Sequence, residues 1–171
     1  MSKHNIAVIP GDGIGIEVID IATKVLEASG LEFNSKTFDL GGARYLKDGE
    51  ILSDETLDKL KNYEAILLGA VGHPDVTPGV IERGLLLKMR FDFDQYINLR
   101  PFISDVSPSG QKVDIICVRE NTEGPYVGEG GVLKKGTVDE VATQGSVNTR
   151  KGVERTIRYA FELARVRDRK H

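Results

Sequence analysis

The chain has no tryptophan, two methionines and one cysteine among 171 residues. One thiol excludes an internal disulfide framework. Cys117, inside the apolar run "VDIICV", is read as a buried structural thiol in a reducing, cytoplasmic setting rather than as a nucleophile. No apolar run approaches the roughly 20 residues that span a bilayer, and no signal-peptide core follows the charged start, so no membrane partner is expected. An excess of one charge sign is also missing. Lys and Arg number 23 against 26 Asp and Glu, a formal net charge of −3. With no basic stripe, nucleic acid is not expected as a partner either. Hydrophobic residues at 40% and charged residues at 29% describe a soluble globular chain, long enough for one domain and short for two.

Glycine is plentiful, and its placement raises the first functional question. "NIAVIPGDGIGIEVI" (residues 5–19) runs from an apolar segment into three alternate glycines, Gly11, Gly13 and Gly15. A dinucleotide fingerprint needs G-x-G-x-x-G and an acid about 20 residues on. Here the third glycine comes one residue early, and Asp39 lies 28 residues past Gly11. Asp12 and Glu17 would repel a pyrophosphate, and no G-x-x-x-x-G-K-[ST] loop occurs. A tight glycine turn between strand and helix satisfies the spacing but leaves the two acids unexplained.

Residues 6–9 read as a buried strand. From Ile16 onward Val18, Ile19, Ala22, Val25 and Leu26 share a helical face that stops at Gly30. "LEFNSKTFDL" reads as a second strand closed by Gly41 and Gly42. Ser53 is placed to cap "DETLDKLKN", with Leu52 and Leu57 as its hydrophobic staple. "AILLGAVG" is a third strand, apolar on both faces as parallel sheets require. Strands alternating with helices predict an α/β sheet with right-handed crossovers. Beyond Asn98, "INLRPF" and "VDIICVRE" are extended segments joined by "SDVSPSGQ", and "ENTEGPYVGEGG" is loop or hairpin. A last helix runs from about Thr149 with Val153, Ile157, Ala160, Phe161 and Ala164 on one face, and the cations of "RVRDRKH" suit its C-terminus. No strand follows this helix, so the chain reads as half of a larger α/β architecture.

Three arginines stand outside charge runs: Arg90 in "KMRFDF", Arg100 in "NLRP" and Arg119 in "CVRENTEGPY". A guanidinium at a strand end can fork onto a carboxylate, and several together select a dianionic acid. Tyr126 follows in a glycine-flanked turn that would present a phenol. Taken singly, each arginine is also read as an ion-pair partner and Tyr126 as a hairpin aromatic. The sequence alone leaves open whether the four converge.

"IPGDGIGIEV", "ILLGAVGHPD", "ERGLLLKMRFDFDQYINLRP", "VRENTEGPYVGEGG" and "EVATQGSVNTRKGVERTIRYAFELAR", in this order, resemble the β-decarboxylating dehydrogenases, the isocitrate/isopropylmalate dehydrogenase family. The resemblance spans essentially the whole chain. "TEGPYVGEGG" and "ERGLLLKMRF" are most similar to the isopropylmalate branch of actinobacterial type, with the tartrate/D-malate branch as alternative. "GLLLKMR" lacks the serine usual in isocitrate enzymes, and Ile16 stands where the family usually has proline.

The resemblance implies a non-Rossmann α/β fold. Residues 1–99 would form the N-terminal part of the first domain, and 100–171 the first part of a second, dimerising and substrate-binding domain; the C-terminal half would be absent. It implies NAD and Mg2+ or Mn2+ as cofactors, a small dicarboxylate substrate and a homodimer in the complete protein. Arg90, Arg100 and Arg119 correspond to the substrate-carboxylate arginines and Tyr126 to the proton donor. Ile14 would lie near the dinucleotide, and the loop 72–82, with Gly72, His73 and Glu82, would approach the nicotinamide. The metal ligands and a catalytic lysine are expected beyond residue 171, with none in this chain, so the chain by itself is expected to be inactive and association-prone. A non-catalytic subunit regulating a full-length homologue is the alternative of another class.

Overall fold

The computed structural model describes residues 3–105, 108 and 110–170. Two compact units divide the chain, Met1–Met89 and Arg90–His171. In the first, β1 (His4–Gly11), β2 (Phe33–Thr37) and β3 (Ala65–Ala70) form a parallel sheet in the order β2-β1-β3. The chain leaves central β1 toward β2 and then crosses back to β3 on the other side. That reversal opens a crevice at the carboxyl ends of the strands, the usual ligand position in open α/β sheets.

α1 (Ile14–Ala28) follows the glycine turn and buries Gly15 and Ile19 against the sheet, where Ile6, Val8 and Ile19 form a core with Phe33 and Leu67. The expected helical face is only partly the buried one. Val18 and Val25 remain 52% and 62% exposed, because the helix seats itself on its smallest residue, Gly15, which rotates those two valines outward. Gly11 and Gly15 are required by close approach. A Cβ on either would collide with backbone atoms of Ala70, and Gly11 also has φ +76°. Gly11→Ala is expected to lower the unfolding free energy by about 2 kcal/mol or more, seen as a fall in the urea midpoint.

A helix not anticipated from the sequence, α2 (Gly42–Asp48), starts directly after Gly41. α3 (Asp54–Leu60) begins as predicted: the Ser53 hydroxyl accepts from the Thr56 amide at 3.3 Å, and Leu52 and Leu57 are both buried. Residues Glu82–Leu87 form a π-helical turn that runs into α4 (Lys88–Asp92). The turn buries Leu85 completely and leaves Leu86 and Leu87 half-buried.

In the second unit β4 (Ile97–Ser104) pairs antiparallel with β5 (Val113–Glu120). Val106, Ser107 and Ser109 of the "SDVSPSGQ" connector lie outside the described residues. A second hairpin, β6 (Gly130–Leu133) with β7 (Val141–Gln144), precedes α5 (Arg150–Val166), whose N-cap is Thr149 as predicted. Val153, Ile157 and Phe161 on α5 are 43%, 51% and 70% exposed, contrary to the expectation of a buried apolar face. Polar anchors orient this helix: Gly152 sits against the Glu123 carboxylate and Arg155 reaches Asp94, which turns the apolar stripe outward. Among the described residues no buried hydrophobic side chain lies beyond Met89.

Candidate active site

β5 ends at Glu120, and the segment after it is shaped by its own carboxylates. Glu120 accepts from the amides of Thr122 at 3.0 Å and Glu123 at 2.7 Å, forcing a tight reversal. Buried Asn121 donates to the Gln95 carbonyl at 2.9 Å, and Glu123 accepts from the Thr149 amide at 2.7 Å. Arg155, which sequence reasoning passed over, closes the frame. Its guanidinium donates to both Asp94 oxygens at 2.9 and 2.8 Å and to the Thr122 hydroxyl at 3.0 Å, and it lies 4.2 Å from the Tyr96 ring centroid. It stands within the charge-rich helical run "RKGVERTIR", where it reads as one more solvated cation, and only the three-dimensional partners reveal it.

This frame presents Tyr126 in a single turn, Pro125–Val127, between Gly124 and Gly128. Arg90 and Arg119 both lie against the ring, their guanidinium carbons 4.9 and 5.3 Å from its centroid. Arg119 Nη2 donates to the Tyr126 hydroxyl. That hydrogen bond holds the phenol below its ordinary value of 10.0; burial opposes it, and the charges of Arg119 and Arg90 reinforce it. The Nη1 of Arg90 is buried and has no hydrogen-bond partner among the described residues. A buried guanidinium donor without an acceptor is costly and suits an incoming anion.

Arg100 shares a sheet face with Arg119. In the β4–β5 register Asn98 faces Arg119 and Arg100 faces Cys117, so Arg100 and Arg119 are diagonal neighbours on one face of the sheet. Among the described residues no carboxylate forms an ion pair with Arg90, Arg100 or Arg119. Cys117 corrects the expectation of a buried thiol: it is free and exposed. Its face of this two-stranded sheet is the one that carries Arg100 and Arg119, and Ile115 and Phe102 on that face are exposed as well.

The residues assigned to a dinucleotide lie in the first unit. Ile14 opens α1 and is 67% exposed, and Gly72 and His73 follow β3. Gly72 has φ +142° and open space where a Cβ would stand, so a flat ring could approach its backbone. Glu82 opens the π-helical turn and accepts from the Gly79 amide at 2.9 Å. Ile14 thus follows the end of β1, and Gly72 and His73 follow the end of β3, at the carboxyl edge of the parallel sheet. The glycine turn itself does not fit a pyrophosphate, because its amides are already used: Asp12 donates to the Ala70 carbonyl at 2.7 Å, Gly15 to the Asp12 carbonyl at 2.9 Å and Ile16 to the Gly13 carbonyl at 3.4 Å. The Asp12 carboxylate is buried and accepts from the amides of Gly42 at 2.7 Å, Ala43 at 2.9 Å and Gly72 at 3.0 Å.

Burial pushes the Asp12 carboxyl up, but the amides of Ala43, Gly72 and Gly42 and the charge of His73 outweigh it, leaving the group below its ordinary 3.8. With the folded value depressed, its contribution to stability is complete above 3.8 and is lost as pH falls through the lower folded value. The gap in urea midpoint between the wild type and Asp12→Asn is therefore expected to narrow between neutral pH and about pH 2. Among the described residues no three His, Cys, Asp or Glu side chains cluster as metal ligands. None of the described helices is long and apolar enough to cross a membrane.

A parallel β2-β1-β3 sheet with a non-Rossmann glycine turn, joined in sequence to a tyrosine set against two arginines, defines a class. Residues 5–171 match the isocitrate/isopropylmalate dehydrogenase family, and the chain belongs to it. Within that family, 3-isopropylmalate dehydrogenase of Corynebacterium glutamicum (strain R) is 53% identical over 96% of this chain and 50% of that protein. The enzyme of the same name from Streptomyces coelicolor is also 53% identical, over 97% of this chain and 50% of its own length. The chain thus spans about half the length of the curated relatives it matches. Among solved structures, isocitrate dehydrogenase from Methylococcus capsulatus aligns with a TM-score of 0.80 at 36% identity, covering 95% of this chain and 48% of that one. A β-decarboxylating dehydrogenase from Thermococcus kodakarensis, in its apo form, aligns with a TM-score of 0.68 at 36% identity, covering 95% and 46%.

Proposed function

We propose that the whole protein is a 3-isopropylmalate dehydrogenase. It would convert (2R,3S)-3-isopropylmalate and NAD to 4-methyl-2-oxopentanoate, carbon dioxide and NADH, as a cytoplasmic homodimer of leucine biosynthesis. The observation that carries this is the pair Arg90 and Arg119 against the Tyr126 ring, with no carboxylate among the described residues paired to either. Arg90 offers its unpartnered Nη1 to one substrate carboxylate, while Arg100 and Arg119 offer forks from the same sheet face. The first unit takes the dinucleotide through Ile14, Gly72, His73 and Glu82. When bound, NAD accepts the hydride from C2, and the C2 hydroxyl proton is released to solvent through a base outside the described residues.

Loss of the β-carboxylate as carbon dioxide leaves an electron pair at C3, and the Tyr126 hydroxyl delivers the proton that completes the product. Arg119 stabilises the phenolate left behind, and solvent re-protonates it. Mg2+ or Mn2+ also belongs to this proposal, with ligands outside the described residues, and no step here is assigned to it. The apolar run Leu85, Leu86 and Leu87 that precedes Arg90 in sequence favours isopropylmalate over tartrate or D-malate.

The test is a steady-state assay of the protein as its own gene produces it, with Mg2+, NAD and each of the three acids. NADH formation is expected with isopropylmalate at a kcat/KM at least about tenfold above the others. Equal or greater efficiency with tartrate or D-malate would replace the substrate. No turnover with any acid would refute the dehydrogenase proposal.

A further inference from the structure

Asp12 is the most deeply buried carboxylate described, at 5% exposure, and no lysine or arginine among the described residues pairs with it. Its partners are instead backbone amides from the ends of the other two strands of the sheet. Gly42 and Ala43 follow β2 and Gly72 follows β3, while Asp12 itself follows β1. The Asp12 amide also donates to the Ala70 carbonyl at 2.7 Å, and its carbonyl accepts from the Gly15 amide at 2.9 Å. One residue therefore ties together every loop at the carboxyl edge of the parallel sheet. The neighbouring glycines are shaped around it: a Cβ at Gly41 would stand 2.7 Å from an Asp12 carboxylate oxygen, and one at Gly42 would meet the His73 side chain.

We propose that Asp12 is a positioning residue for cofactor binding: as a built-in anion it fixes the turn carrying Gly72 and His73, so that the turn meets the nicotinamide end of the dinucleotide without rearrangement. This rests on the assignment of Gly72 and His73 to the cofactor. It also explains why the glycine turn carries an acid. The free amides at the ends of β2 and β3 are here spent on the protein's own carboxylate, and the dinucleotide has to be held elsewhere along the edge.

Asp12→Asn keeps the shape but turns an amide NH2 toward backbone donors. Asp12→Ser keeps one acceptor oxygen and is the milder second variant should the first fail to fold. Both are made in the protein as its own gene produces it, and folding is checked by circular dichroism. The KM for NAD is expected to rise about tenfold or more in Asp12→Asn and by less in Asp12→Ser, with kcat and the KM for the diacid changing less than about threefold. Hydrogen exchange at the Gly72 amide should accelerate in parallel. A folded variant with an unchanged KM for NAD, or with all constants falling together, would overturn the positioning role. If the wild type shows no turnover, the dehydrogenase proposal has failed separately. Exchange at Gly72 then decides, and a wild-type rate in the variants would sink the clamp.

Discussion

Tyr126→Phe is expected to lower kcat with isopropylmalate by about 10²-fold or more, the usual cost of removing a positioned proton donor. The ring survives the substitution, so its contacts with Arg90 and Arg119 at 4.9 and 5.3 Å are kept and the diacid should bind nearly as before. The KM for the diacid should therefore stay within about threefold of wild type, separating proton delivery from binding. The wild-type enzyme carries a second signature. Because the Arg119 hydrogen bond holds the phenol below 10.0, the protonated donor is lost at a lower pH than for a free tyrosine, and the alkaline limb of kcat should lie below that value. A kcat within about threefold of wild type would remove Tyr126 from the chemistry.

Arg119→Gln should do more, because Arg119 is assigned two tasks. Losing one charge-assisted fork to a buried carboxylate costs about 2–5 kcal/mol, so kcat/KM should fall by about 30-fold to several thousand-fold. Most of that fall should appear as a higher KM for the diacid. The phenol would also lose its main hydrogen-bond donor, so the alkaline limb should move up toward 10.0. Arg119→Lys retains the charge but not the planar fork, and should recover part of the limb shift and little of the KM. An unchanged limb in Arg119→Gln would show that Arg119 does not govern the phenol, whatever happens to KM.

Much of the first unit was legible because local chemistry and tertiary packing agree there. The strand–turn–helix at Gly11 to Gly15, the Ser53 cap and the apolar third strand all carry signals within a few residues. The misses have a common cause. α2 begins at Gly41 and Gly42, residues that read as a stop, because the Asp12 carboxylate 30 positions earlier satisfies the first amides of the helix. The π-helical turn at Glu82–Leu87 has no period of its own in a run as apolar as "GLLLKM". In the second unit the α5 stripe is real as a pattern, yet Asp94 and Glu123 orient the helix, and periodicity does not see them. Cys117 misled for a similar reason: an apolar run promises burial only when something covers that face of the strand. Of the site, the residue types were readable and their convergence was not. Arg90 and Tyr126 lie 36 positions apart, and only the frame built by Glu120, Asn121, Glu123 and Arg155 brings them together.

The most direct measurement is a crystal structure of the protein with 3-isopropylmalate bound. Guanidinium nitrogens of Arg90, Arg100 and Arg119 should stand about 3 Å from the two carboxylates, with the Tyr126 hydroxyl directed at C3. A diacid seated away from these four side chains, or arginines engaged instead by carboxylates of the protein itself, would contradict the account.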